Sequence, residues 1–67
     1  MDWNRVEGNW KKMKGKVKEQ WGKLTDDDLD KIAGKQEQLE GHLQQRYGYG
    51  KDEAKREVNG WYDRQKW

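Results

Sequence analysis

No stretch of this chain holds more than two consecutive apolar residues, yet the apolar residues return every three or four positions, which is the spacing of an α-helix face. Nothing in it alternates like a strand. With Gly8 set at 0° and roughly 100° added per residue, Val6, Trp10, Met13, Val17, Trp21 and Leu24 fall in a stripe about 80° wide. Asn4 followed by Glu7 has capping-box spacing, which predicts a helix from near residue 4 to Gly22 or Lys23. Thr25 ahead of Asp26, Asp27 and Asp28 predicts a second start, because a Thr oxygen caps an orphan amide and the carboxylates sit at the positive end of the helix dipole. The stripe resumes through Leu29, Ile32, Leu39, Leu43 and Tyr47, and Gly48–Tyr49–Gly50 stops it. A break near Gly34 would split this segment in two. The last helix is predicted over about Asp52 to Gln65, burying Ala54, Val58, Trp61 and Tyr62.

Displacing the sequence by 26 residues lays Gly8, Gly15 and Gly22 on Gly34, Gly41 and Gly48, and Val6, Met13, Val17 and Trp21 on Ile32, Leu39, Leu43 and Tyr47. Two such units, each too small to bury its own stripe, can bury them against each other. The expected fold is therefore all-α: a small bundle of four to five helices, built as two orthogonally packed helical hairpins about an internal pseudo-twofold. The repeat units cover about residues 5–24 and 31–50, the last helix about 52–65, in one domain spanning 1–67. An extended three-helix bundle is the competing arrangement.

The glycines lie opposite the apolar stripe, so they are expected on the solvent side rather than as core spacers. Each interior helical glycine costs roughly 1 kcal/mol relative to alanine, which predicts soft helices in a chain of 67 residues. Charged residues make up 42% of the chain, and eight aromatics, five of them Trp, pull it back from disorder. The absence of Cys and Ser, with one Thr and one His, removes disulfides, thiolate and serine nucleophiles, and Cys-based zinc sites. No apolar run approaches a membrane span or a signal-peptide core, so the chain reads as a soluble, cytoplasmic monomer without a membrane partner and without a cofactor.

Charge is distributed unevenly. Residues 1–24 hold seven bases and three acids, residues 25–40 two and six, and residues 41–67 six and four. The basic and acidic segments either steer an anionic partner to one end or pair with each other in the fold. Lys11, Lys12, Lys16, Lys18 and Lys23 flank the glycine face of the first helix and could contact phosphates, giving weak, salt-sensitive binding of an anionic polymer; a merely solvated basic face is the alternative. Gly48, Tyr49, Gly50 and Lys51 resemble the Gly-hydrophobic-Gly turn of helix-hairpin-helix DNA-binding modules, although the preceding Pro is missing and Asp52 and Glu53 would repel a phosphate. Asp26, Asp28, Asp30 and Glu37 match four positions of a calcium loop, but Lys31 stands where the turn needs Gly and the apolar stripe continues straight through as helix. His42 falls on the polar face with no acid placed by the sequence to orient it. Trp10, Trp21 and Trp61 lie on core stripes, leaving Trp3 and Trp67 near the termini to close over the bundle ends.

Gly8–Asn9–Trp10–Lys11, the stretch from Gly15 through Trp21–Gly22–Lys23–Leu24–Thr25 to Asp28, and Arg46–Tyr47–Gly48–Tyr49 together resemble the CsbD-like family of small bacterial proteins. Ala33–Gly34–Lys35 departs from it where an acid is expected before Gly–Lys. The resemblance implies a SAM-domain-like pair of orthogonal hairpins, a cytosolic setting and an association with general stress responses. It brings no catalytic residue. The function it implies is non-enzymatic, with the glycine-rich, hydrophilic character of hydrophilins that protect macromolecules during water loss.

Overall fold

Five α-helices form along the apolar stripes: α1 (Asn4–Gly8), α2 (Trp10–Gln20), α3 (Asp26–Ile32), α4 (Gln36–Tyr47) and α5 (Lys51–Arg64). The computed structural model describes residues 2–66, and Trp67 lies outside the described residues. Helix α4 packs against both α3 and α5, and α1 against α2. The Cα radius of gyration is 10.7 Å, close to the roughly 11 Å of a collapsed chain of this length. None of these helices is long and apolar enough to cross a membrane.

The predicted stripes meet in one core. Val6, Met13, Val17, Trp21 and Leu24 come from the first segment, Leu29, Ile32, Leu39 and Leu43 from the second, and Ala54, Val58, Trp61 and Tyr62 from α5. Trp21 and Trp61 are tilted against each other with ring centroids 5.8 Å apart, and Trp3 continues the row, 6.1 Å from Trp61 and 6.1 Å from Tyr62. Trp3 is thus half-buried against the core.

The expected single helix over residues 4 to 22 or 23 is two helices and ends earlier, at Gln20. Asn9 interrupts it at φ −117°, ψ 32°, and its side-chain Nδ2 donates to the Arg5 carbonyl at 2.8 Å. A local side-chain bond of this kind offers the backbone an alternative to the helix ladder, and Gly8 beside it adds low propensity. The Asn4 capping box does not form either: the N-cap is Trp3, and Asp2 Oδ1 accepts from the Asn4 N–H at 3.1 Å. Tyr62 ties down this end, its hydroxyl donating to the Asp2 carbonyl at 2.9 Å and accepting from the Asp2 N–H at 3.1 Å.

The break near Gly34 is present and sharp. Ala33 (φ 50°) and Gly34 (φ 81°) are both left-handed, and the Lys35 N–H donates to the Ile32 carbonyl at 2.9 Å. Gly34 is buried, contrary to the expectation that every glycine of the stripe faces solvent. A Cβ there would meet the Glu7 Cα at 2.9 Å, so α1 crosses the α3–α4 corner in direct backbone contact. Two indoles seal that crossing: the Trp10 N–H donates to the Leu29 carbonyl at 3.2 Å, and the Trp3 N–H to the Gly34 carbonyl. Trp10 is accordingly half-buried rather than fully in the core.

The N-terminus of α3 forms as predicted. Thr25 Oγ1 accepts from the Asp28 N–H at 3.1 Å, and Asp28 Oδ2 accepts from the Thr25 N–H at 3.0 Å. Arg46 of α4 grips the same carboxylate with two parallel bonds, Nε to Oδ2 at 2.9 Å and Nη2 to Oδ1 at 3.0 Å. The Arg46 bonds, then the Thr25 N–H, hold the buried Asp28 carboxyl well below the usual carboxylate range, with desolvation opposing them.

Gly15 and Gly41 lie inside α2 and α4 with open space where a Cβ would stand, so Gly15→Ala and Gly41→Ala should each raise stability by about 1 kcal/mol in urea unfolding. Gly34→Ala should lower it by about 1 kcal/mol or more. Because Asp28 is depressed in the folded state, its contribution is complete above the ordinary aspartate value near ~3.9 and drains as pH falls from there. Asp28→Asn should therefore be less stable at neutral pH and show a shallower loss of stability on acidification below about pH 4, measured by circular dichroism melts across pH.

Candidate functional site

Helix α2 turns Met13 and Val17 into the core, so its lysines divide between two sides. Lys14 and Lys18, one turn apart, reach Asp30 at 3.3 Å and Asp26 at 3.1 Å on α3, an antiparallel pair of exposed bridges. Lys35 meets Glu7 at 3.6 Å, and Lys31 meets Asp27 at 3.2 Å within α3. The basic first segment and the acidic second one therefore pair with each other, one of the two readings their order allowed. Each exposed bridge contributes no more than about 1 kcal/mol.

Lys11, Lys12 and Lys16 make no ion pair with a described residue. Lys12 and Lys16 line a groove with Asn9, Met13, Gln65 and Lys66, between α2 and the end of α5. Lys16 also borders an adjoining hollow with Glu19, Gln20, Trp61 and Gln65. Lys66 is a residue that sequence spacing does not bring to this strip; it lies fifty residues or more from Lys12 and Lys16, and only the return of α5 places it there.

The turn residues form a second cluster. Gly48 (φ 71°) ends α4 and Gly50 precedes α5 without a side-chain cap. Tyr47 and Tyr49 stack at 5.3 Å with planes 15° apart, the Lys23 N–H donates to the Tyr47 hydroxyl at 3.1 Å, and Lys23 Nζ lies 5.1 Å from the Tyr47 ring centroid. Lys23 thus joins the Gly48–Tyr49–Gly50 turn. Lys51 instead borders a different groove, with Glu37, Glu40, Gln44 and Lys55. Burial pushes the Tyr49 phenol above its ordinary value, with Glu57, Tyr47 and Glu53 adding to the shift, so carboxylates crowd this side of the turn.

His42 is oriented by a carbonyl of its own helix, and an acid from α3 stands near its ring. The Gln38 carbonyl can only accept, which places the hydrogen on His42 Nδ1 (2.8 Å), and Nε2 faces Asp28 Oδ1 at 3.9 Å. His42 and Arg46, one turn apart on α4, flank the Asp28 carboxylate. Sequence spacing along α4 shows no acid for His42 because the acid comes from α3. Asp26 and Asp30 of the calcium-loop pattern hold lysines and Asp28 holds Arg46, and no group of three or more metal-binding side chains exists among the described residues.

A CsbD-like family model matches residues 4–56. The chain is 75% identical over 67 residues to UPF0337 protein Atu4724 of Agrobacterium fabrum, covering all of both chains. It is 65% identical over 62 residues to UPF0337 protein RPA4217 of Rhodopseudomonas palustris, covering 92% of this chain and 94% of that one. It is 59% identical over 64 residues to UPF0337 protein YjbJ of Escherichia coli K12, covering 96% and 93%. A match across four helices and the start of the fifth, with relatives aligned nearly end to end, establishes that the chain belongs to the CsbD-like family.

Proposed function

We propose that this chain is a non-enzymatic, stress-associated bacterial protein of the cytoplasm, acting as a monomer by hydrophilin-like protection of other macromolecules. The observation that carries this reading is the pair of exposed glycines inside α2 and α4, Gly15 and Gly41, where open space would admit any small side chain. Nothing in their surroundings requires glycine, and both lower helix stability. Softened helices that keep a charged, hydrated surface around a small aromatic core can loosen and shield neighbours when water is withdrawn. Family membership supports the stress association.

We also infer that the two halves are SAM-like hairpins related by a pseudo-twofold within one domain. The helix limits support it: displaced by 26 residues, α2 (Trp10–Gln20) falls on residues 36–46, and α4 covers Gln36–Tyr47.

A second reading, weak nucleic-acid binding through phosphates, draws support from the unpaired Lys11, Lys12 and Lys16 and from Lys23 beside the tyrosine pair. The protective reading predicts that a drying-sensitive enzyme retains more activity with this protein than with a folded helical protein of equal net charge. The Gly15→Ala/Gly41→Ala variant should protect less although it melts higher; equal recovery with the control protein removes the reading.

A further inference from the structure

We propose that the groove between α2 and the end of α5 is where nucleic acid lies, its phosphates held by Lys12, Lys16 and Lys66. This inference rests on the second reading above and gives it a place. The lysines of α2 are not equivalent: Lys14 and Lys18 are held at 3.3 and 3.1 Å by Asp30 and Asp26, whereas Lys12 and Lys16 face away from α3 and share their groove with Lys66. Three lysines without an ion pair to a described residue share this one groove, and a polyanion is the complement of such a group.

The groove also says how the ligand is read. Its described apolar residues are closed to solvent, with Met13 3% and the neighbouring Trp61 2% exposed, so among the described residues it offers no ring face for a base and little surface for an aliphatic ligand. Its two amide donors have internal bonds, Asn9 Nδ2 to the Arg5 carbonyl at 2.8 Å and Gln65 Nε2 to the Trp61 carbonyl at 2.9 Å. The lysine ammonium groups are the charged donors of the groove, and these bind phosphate as mobile point charges without base selectivity. Glu19, in the adjoining hollow, bounds the site on that side. The Gly48–Tyr49–Gly50 turn is a poorer phosphate site because the negative charge of Glu57 and Glu53 reaches Tyr49.

The test is fluorescence anisotropy of the full chain with labelled duplex and single-stranded DNA across a salt series, with anionic phospholipid vesicles as a separate arm. Three phosphate contacts give a log–log salt slope of about −2.7 for duplex and about −2.1 for single strands. Lys12→Gln/Lys16→Gln/Lys66→Gln should lower low-salt affinity about tenfold or more and flatten the slope, while Lys14→Gln/Lys18→Gln should leave both near the wild-type values. Wild-type binding that survives the triple substitution, or that is lost equally in the Lys14/Lys18 variant, overturns the groove while leaving the nucleic-acid reading intact. Absence of wild-type binding at low salt overturns both. Lysine-dependent binding to vesicles alone overturns the assignment of the ligand. Circular dichroism melts of each variant separate lost contacts from lost folding.

Discussion

Scarcity of apolar side chains governs this molecule. Thirteen of them are buried and four more, Trp3, Trp10, Tyr47 and Tyr49, pack against the core; Ala33 is the one described apolar residue outside it. Folding a chain with so little to bury requires side chains that do two things at once. Trp3 and Trp10 cover core with their rings while their indole N–H groups satisfy carbonyls at the α3–α4 corner, and Tyr62 packs beside Trp3 while its hydroxyl serves both backbone groups of Asp2. The short α1 is held through these contacts, since five residues cannot sustain a helix alone.

Polar pairing supplements the same scaffold from outside. Asp28 receives bonds from its own cap and from Arg46 on α4, so one carboxylate both starts α3 and fastens it to the next helix. The Lys14–Asp30 and Lys18–Asp26 bridges align α2 with α3 in an antiparallel register that follows from one-turn spacing on each helix. Charge consumed in holding helices together is withdrawn from any partner, and for that reason the external electrostatics of α2 differ from what its lysine count suggests.

The helix faces and the α3 start were legible in the residues because they depend on local spacing and one capping pair. Val6, Val17, Leu39, Leu43 and Val58 are all fully buried, as their angular positions require, and α5 begins within one residue of its expected start. What escaped the sequence were features set by contact between distant segments. Gly34 shares the angular position of the exposed glycines, and only the passage of α1 over it makes it a close-contact residue. The Asn9 break depends on a side-chain bond competing with the helix, which propensity alone does not resolve. At the candidate site, the approach of Lys23 to Tyr47, the pairing of Lys18, the separation of Lys51 and the arrival of Lys66 all depend on how α2, α4 and α5 are placed around the core.

The row formed by Trp21, Trp61, Trp3 and Tyr62 draws on the C-cap of α2, on α5 and on the segment ahead of α1. Chromophores that close exchange excitation energy and couple their transitions, so the near-ultraviolet absorption and emission of this protein are properties of the assembled row rather than of separate rings. Undocking α5 would dissolve that collective signal even while every helix stayed wound, giving the molecule a built-in optical gauge of tertiary order distinct from helicity.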